Sequence, residues 1–146
     1  ASVPVMEAAL NANAGVGILA VTVLTSSGEA ELKALRYPGT MADLVQERAS
    51  EALRLGCTGV VASAQEATHL RQTLGTNFRI VTPGIRSAGV ASHDQKRIST
   101  PGAALLNGAD YLVIGRPIRD AADPLAAIKT IQAEMKSVLA ARQLQP

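Results

Sequence analysis

Gly115-Arg116-Pro117 follows an apolar run at residues 111–114 and leads into helix-forming sequence. Glycine lets an anion approach the backbone, a helix start offers N–H groups, and an arginine fork adds charge-assisted bonds, so the turn suits a phosphate. Each such contact stabilises a bound phosphate by about 1.5 to 3 kcal/mol. The same residues also fit a plain strand end in which Arg116 pairs with Asp120 one helical turn on. The segment VTPGIRSAGVASHDQKRISTP, residues 81–101, adds Arg86, Gln95, Lys96 and Arg97 together with Gly84 and Gly89. Long loops of this kind in compact domains usually carry function.

Other chemistries find less support. His69 falls inside a helix and His93 in a loop, with no second His or Cys at ligand spacing, so no metal site is expected. Cys57, at the entry to a strand, reads as a small packing residue rather than a nucleophile. There is no Gly-x-Ser-x-Gly elbow and no Walker loop. Gly15-Val16-Gly17 precedes a strand instead of following one, the wrong context for a dinucleotide.

The elements that must position these residues alternate along the chain. Residues 17–24, 58–62, 78–82 and 111–114 read as buried strands. Thr40-x-x-Asp43 and Ser63-x-x-Glu66 resemble capping boxes that open helices ending at Gly56 and Gly75. Thr100-Pro101 and Asp123-Pro124 place a cap before a proline at the first helical position. In the last helix Leu125, Ile128, Ile131, Met135 and Val138 are spaced to form one buried face. Residues 4–13 read as a further helix, giving α followed by four βα units and a parallel sheet with right-handed crossovers.

The 146 residues are 47% hydrophobic and 18% charged, enough for one domain, residues 1–146, with a real core. Only 2% are aromatic, so the core is aliphatic and no stacking platform is available. The net charge of +2 is scattered, which gives nucleic acid binding no support. No apolar stretch approaches the roughly 18 residues of a membrane span, and no basic-then-apolar leader is present, so a cytoplasmic location is expected. Two α/β architectures fit: an open doubly wound sheet, or about the last four to five βα units of a (β/α)₈ TIM barrel. The terminal Gly-Arg turn favours the barrel, whose phosphate sites are often built by the loops after the final two strands.

Five ordered segments carry a more specific signal. AVTVLTS at 20–26, VVASAQE at 60–66, VTPGIR at 81–86, DQKRISTP at 94–101 and DYLVIGRPI at 110–118 resemble consecutive stretches of bacterial orotidine 5′-phosphate decarboxylase. That resemblance implies a (β/α)₈ barrel that dimerises and converts orotidine monophosphate to UMP without a cofactor. It assigns Gly115 and Arg116 to the substrate phosphate, Gln95 and Arg86 to the loop that closes over it, Ser63 to the pyrimidine ring, Thr25 to the ribose or base, and Pro83 to the pocket wall. Ser63 and Thr25 are also good helix-start or turn residues, and Gln95 fits an ordinary loop side chain.

The family's reaction centre is an array of Lys and Asp that includes an Asp-x-Lys-x-x-Asp segment, and this sequence has none. The resemblance therefore implies that the catalytic side chains lie upstream of Ala1 and that this chain recognises substrate. Lys33, Lys96, Lys129 and Lys136 read as solvated. Besides the decarboxylase, two functions fit: a related barrel acting on a sugar phosphate, against which Ser63-Ala-Gln and Leu24-Thr25-Ser26 argue, and a non-catalytic half-barrel. Open parallel edges would drive an isolated chain to pair with itself or with the missing N-terminal segment.

Overall fold

The computed structural model describes residues 2–12, 15–86 and 97–143. Its elements are α1 (Val3–Asn11), β1 (Leu19–Val21), α2 (Glu29–Ala34), α3 (Met41–Leu55), β2 (Gly59–Val61), α4 (Ala64–Leu74), β3 (Arg79–Thr82), α5 (Pro101–Leu106), β4 (Tyr111–Leu112), α6 (Arg116–Arg119) and α7 (Pro124–Gln143).

The helix starts follow from their caps. Thr40 Oγ1 accepts from Asp43 N at 3.2 Å while the Asp43 carboxylate accepts from Thr40 N at 2.8 Å, a complete capping box for α3. Thr100 Oγ1 accepts from Ala103 N, and Asp123 Oδ1 accepts from Ala126 N. Gly56 ends α3 at φ 105°, a conformation that only glycine adopts without strain. Ser63 caps α4 by accepting from Gln65 N at 3.1 Å, but the expected reciprocal bond is replaced: the Glu66 side chain turns to Arg97.

Among the described residues the strands form one parallel sheet in the order β1-β2-β3-β4. A doubly wound sheet reverses its strand order at a switch point, whereas consecutive neighbours without reversal make an arc of a barrel. The ladders are shorter than the apolar runs. After β1, Thr22 still donates to Val61 O, but β2 then turns into α4 at Ser63 and the next residues lose their neighbour.

The sheet's two faces are unlike. Ala20, Val60 and Ile80 pack against Val45, Ala49, Ala52, Ala67 and Leu70 of the helices in one aliphatic core. Paired residues of a parallel sheet share a face, so Leu19, Val21, Val61, Val81, Tyr111 and Val113 lie on the other side. Leu19 is 41% exposed, Tyr111 58% and Val113 52%: this is the side that lines the interior when a barrel closes. Gly59 is required by the close approach of β3, because a β-carbon there would collide with Arg79 O.

Arg71 staples the N-terminal rim. It donates to Phe78 O at 2.9 Å and to Gly108 O at 2.9 and 3.0 Å, pairs with Asp110 at 2.6 Å, and its Cζ lies 4.8 Å from the Phe78 ring centroid. Two features depart from the sequence reading. Helix α2 occupies a stretch for which no element was expected, held by buried Leu32. In α7, Ile131 is buried while Leu125 is 61% exposed, so the expected apolar face is covered only in part, against α5 and α6.

Candidate functional site

All four strands run the same way, so the residues just past their C-terminal ends form one rim: Thr25, Ser63, Pro83 and Gly115. A cavity of about 480 Å³ opens on it, lined by Pro83, Gly84, Arg86, Val113, Gly115, Arg116 and Arg119. Four of the expected site residues, Pro83, Arg86, Gly115 and Arg116, therefore meet in one place. Thr25 and Ser63 lie on the same rim but are buried, at 7% and 1% exposure, and do not line this cavity. Gln95, like Lys96, lies outside the described residues.

Three arginines line one opening, a concentration of positive charge that suits an anion. Arg86 is buried and donates to Ile85 O at 2.8 Å. Its strand end is held by a parallel bridge between Ile85 and Ser99, in which Arg86 N donates to Ser99 O at 2.9 Å. Arg119, exposed, forms a two-bond pair with Asp120 at 2.6 and 2.9 Å. Arg116 is half-buried at the start of α6. Open space faces Gly115, where a β-carbon would meet nothing within 4 Å.

The turn differs from the expected cradle of helix-start N–H groups. Helix α6 is a single turn of 4 residues. Pro117 has no N–H, and those of Ile118 and Arg119 both donate to Gly115 O at 3.0 Å.

Ser63 serves two purposes. Its oxygen accepts the α4 cap bond, and a hydroxyl that accepts in this way keeps its hydrogen to donate. Thr25 follows Val23 and Leu24, whose carbonyls accept from Arg97 Nη2 at 3.3 and 2.7 Å. Arg97 and Glu66 form a buried ion pair that the sequence reading missed: Arg97 stood among the loop's polar residues and Glu66 as a helix cap, 31 positions apart.

The other candidate groups have structural partners. His69 Nε2 lies 2.5 Å from Gln46 Oε1, and among the described residues no three His, Cys, Asp or Glu side chains gather as metal ligands. Burial pushes the Cys57 thiol above its usual range and packs it in the core, where it is a poor nucleophile. Lys33, Lys129 and Lys136 are exposed. No helix among the described residues is long and apolar enough to cross a membrane.

Comparison with known proteins matches this arrangement to one family. The profile of the orotidine 5′-phosphate decarboxylase / HUMPS family matches residues 2–131. The orotidine 5′-phosphate decarboxylase of Afipia carboxidovorans is 53% identical over 132 residues, 89% of this chain and 56% of that protein. That of a Methylobacterium species is 53% identical over 118 residues, 81% of this chain and 50% of the relative. The crystal structure of orotidine 5′-phosphate decarboxylase from Lactobacillus acidophilus superimposes with a TM-score of 0.67 at 36% identity, covering 84% of this chain and 52% of that one. The chain thus spans about half the length of the relatives it matches.

Proposed function

This chain belongs to the orotidine 5′-phosphate decarboxylase / HUMPS family, and from that premise we propose that it forms the phosphate- and pyrimidine-reading part of an orotidine 5′-phosphate decarboxylase, the lyase that releases carbon dioxide from orotidine monophosphate to give UMP. The observation that carries the reading is the cavity where Arg86, Gly115 and Arg116 meet, on the rim that also holds Thr25 and Ser63. Arg116 and Arg86 take the phosphate, and the Ser63 hydroxyl donates to a ring carbonyl. Thr25 stands near the ribose or base, Pro83 walls the pocket, and Gln95 belongs to the loop that covers the phosphate.

In this reading the chain supplies binding energy remote from the reacting carbon. Phosphate contacts that tighten as the site closes lower the barrier at a bond they never touch. Proton transfer is assigned to none of this chain's lysines, since the sequence has no Asp-x-Lys-x-x-Asp segment. A homodimer, drawn from the same resemblance, in the cytoplasm, as the sequence reading expects, completes the proposal.

Calorimetric titration with UMP and with ribose 5-phosphate tests it. Tighter binding of UMP is expected, because only UMP has a ring for the Ser63 side of the rim. Equal affinities would overturn the pyrimidine assignment and favour a sugar phosphate, and no binding of either would remove the phosphate site as well.

A further inference from the structure

Two arginines, Arg71 half-buried and Arg97 buried, cross-link the sheet's ends, and they are not equivalent. Arg71, at the N-terminal rim, ties Phe78, Gly108 and Asp110 together away from the cavity. Arg97, at the C-terminal rim, is 8% exposed and reaches two segments that flank the proposed nucleotide site. Its Nη1 donates to Glu66 Oε1, three residues after Ser63. Its Nη2 donates to the carbonyls of Val23 and Leu24, immediately before Thr25. Two residues on, Ser99 makes the backbone bridge to Ile85 and Arg86.

We propose that Arg97, held by Glu66, is a positioning residue that fixes the spacing between the base-side rim, Thr25 and Ser63, and the phosphate-side rim at Arg86. The inference rests on the functional reading above. Val23 and Leu24 lie beyond the β1 ladder, where Arg97 Nη2 holds both carbonyls and Ser27 N adds a turn bond to Leu24 O. The arrangement is costly as a stabilising device. Both charges are desolvated, and Glu66 Oε2 and Arg97 Nε are buried without a hydrogen-bond partner among the described residues. A group kept in that condition beside a binding rim is explained by the geometry it enforces.

The readout is the ratio of UMP to ribose 5-phosphate affinity in the parent protein, Arg97→Met, Arg97→Lys and Glu66→Gln. Loss of folded protein lowers both apparent affinities by the same factor and leaves the ratio unchanged. Loss of spacing lowers UMP affinity by about tenfold in Arg97→Met, because a ligand that must reach both sides suffers from misplacement. Ribose 5-phosphate affinity should stay within about twofold, since the Ser99–Arg86 bridge is made by backbone bonds. Lysine restores the charge facing Glu66 but not the fork to two carbonyls, so Arg97→Lys should remain impaired. An unchanged ratio in Arg97→Met overturns the proposal. Should that variant fail to fold, Glu66→Gln, which keeps volume and an acceptor oxygen, decides the matter by the same ratio.

Amide exchange at residues 22–26 provides a readout without ligand. Arg97→Met should speed exchange there and leave residues 79–82 unchanged, and identical protection in the two proteins overturns the positioning role. If the parent protein itself does not prefer UMP, the functional reading has failed, whereas a preference that survives in Arg97→Met shows that only the positioning role has.

Discussion

Replacing Arg116 by alanine removes one of three arginines from the cavity proposed to hold the phosphate. A charge-assisted hydrogen bond contributes about 1.5 to 3 kcal/mol, which corresponds to roughly 10- to 150-fold in dissociation constant. Because the phosphate is common to both ligands, UMP and ribose 5-phosphate should weaken by the same factor. Arg119 is the internal control. It lines the same cavity, but its guanidinium is 73% exposed and engaged by Asp120, so Arg119→Ala should change affinity by no more than about fivefold. Calorimetric titration at low and moderate salt measures both variants, with the Arg116 effect shrinking as salt screens the partly exposed charge. Unchanged affinity in Arg116→Ala, at a melting temperature equal to the parent's, would falsify the phosphate assignment. A loss confined to UMP would move Arg116 to the base side.

Three further perturbations address separate links. Ser63→Ala should weaken UMP while sparing ribose 5-phosphate, and loss of the α4 cap should cost about 0.5 to 2 kcal/mol in urea unfolding; equal weakening of both ligands would remove Ser63 from base recognition. Gly59→Ala should destabilise the sheet by about 1 to 3 kcal/mol through collision with Arg79 O, and an unaltered urea midpoint would contradict that packing. The bonds from Thr40 hold the Asp43 carboxyl below the ordinary aspartate value of 3.8. Its folded pKa being depressed, the contribution is complete above the unfolded value and disappears as pH falls through the folded one, so the stability gap between parent and Asp43→Asn should close below about pH 4. A gap independent of pH would mean that Asp43 does not titrate with folding.

Local chemistry made most of the fold legible. Thr40 with Asp43, Thr100 before Pro101, and Gly56 each specify an element boundary from neighbouring residues, and the structure places those boundaries as expected. The unread parts depend on distant partners. Glu66 fits a capping box until Arg97 arrives from 31 residues away, and a buried cation outcompetes a backbone N–H that water or a neighbouring carbonyl can satisfy. Strand lengths were overestimated because an apolar run reports burial, while a ladder also needs a neighbour that has not yet turned into a helix. Helix α2 had a signal: Glu29-Ala30-Glu31-Leu32-Lys33-Ala34 is made of strong helix formers, but six residues are too short to show a helical period. In the candidate site, the Gly-Arg turn was visible because its residues are contiguous. Val113 and Arg119 needed the fold to bring them to the same opening as Arg86.

The two rims use the same side chain to different ends, and its surroundings separate them. At the N-terminal rim the Arg71 fork is filled by two carbonyls and a carboxylate, so its donors are engaged and its function is to hold strand ends at fixed spacing. At the C-terminal rim Arg97 ties the Val23–Leu24 segment to Glu66, while Arg86 and Arg116 line a cavity beside Gly115. In a barrel, conservation of geometry at the N-terminal face serves stability and the C-terminal loops serve binding. This sheet follows that division: Arg71 ties the N-terminal strand ends, and the residues proposed to read the nucleotide, Thr25, Ser63, Arg86 and Arg116, stand at the C-terminal end.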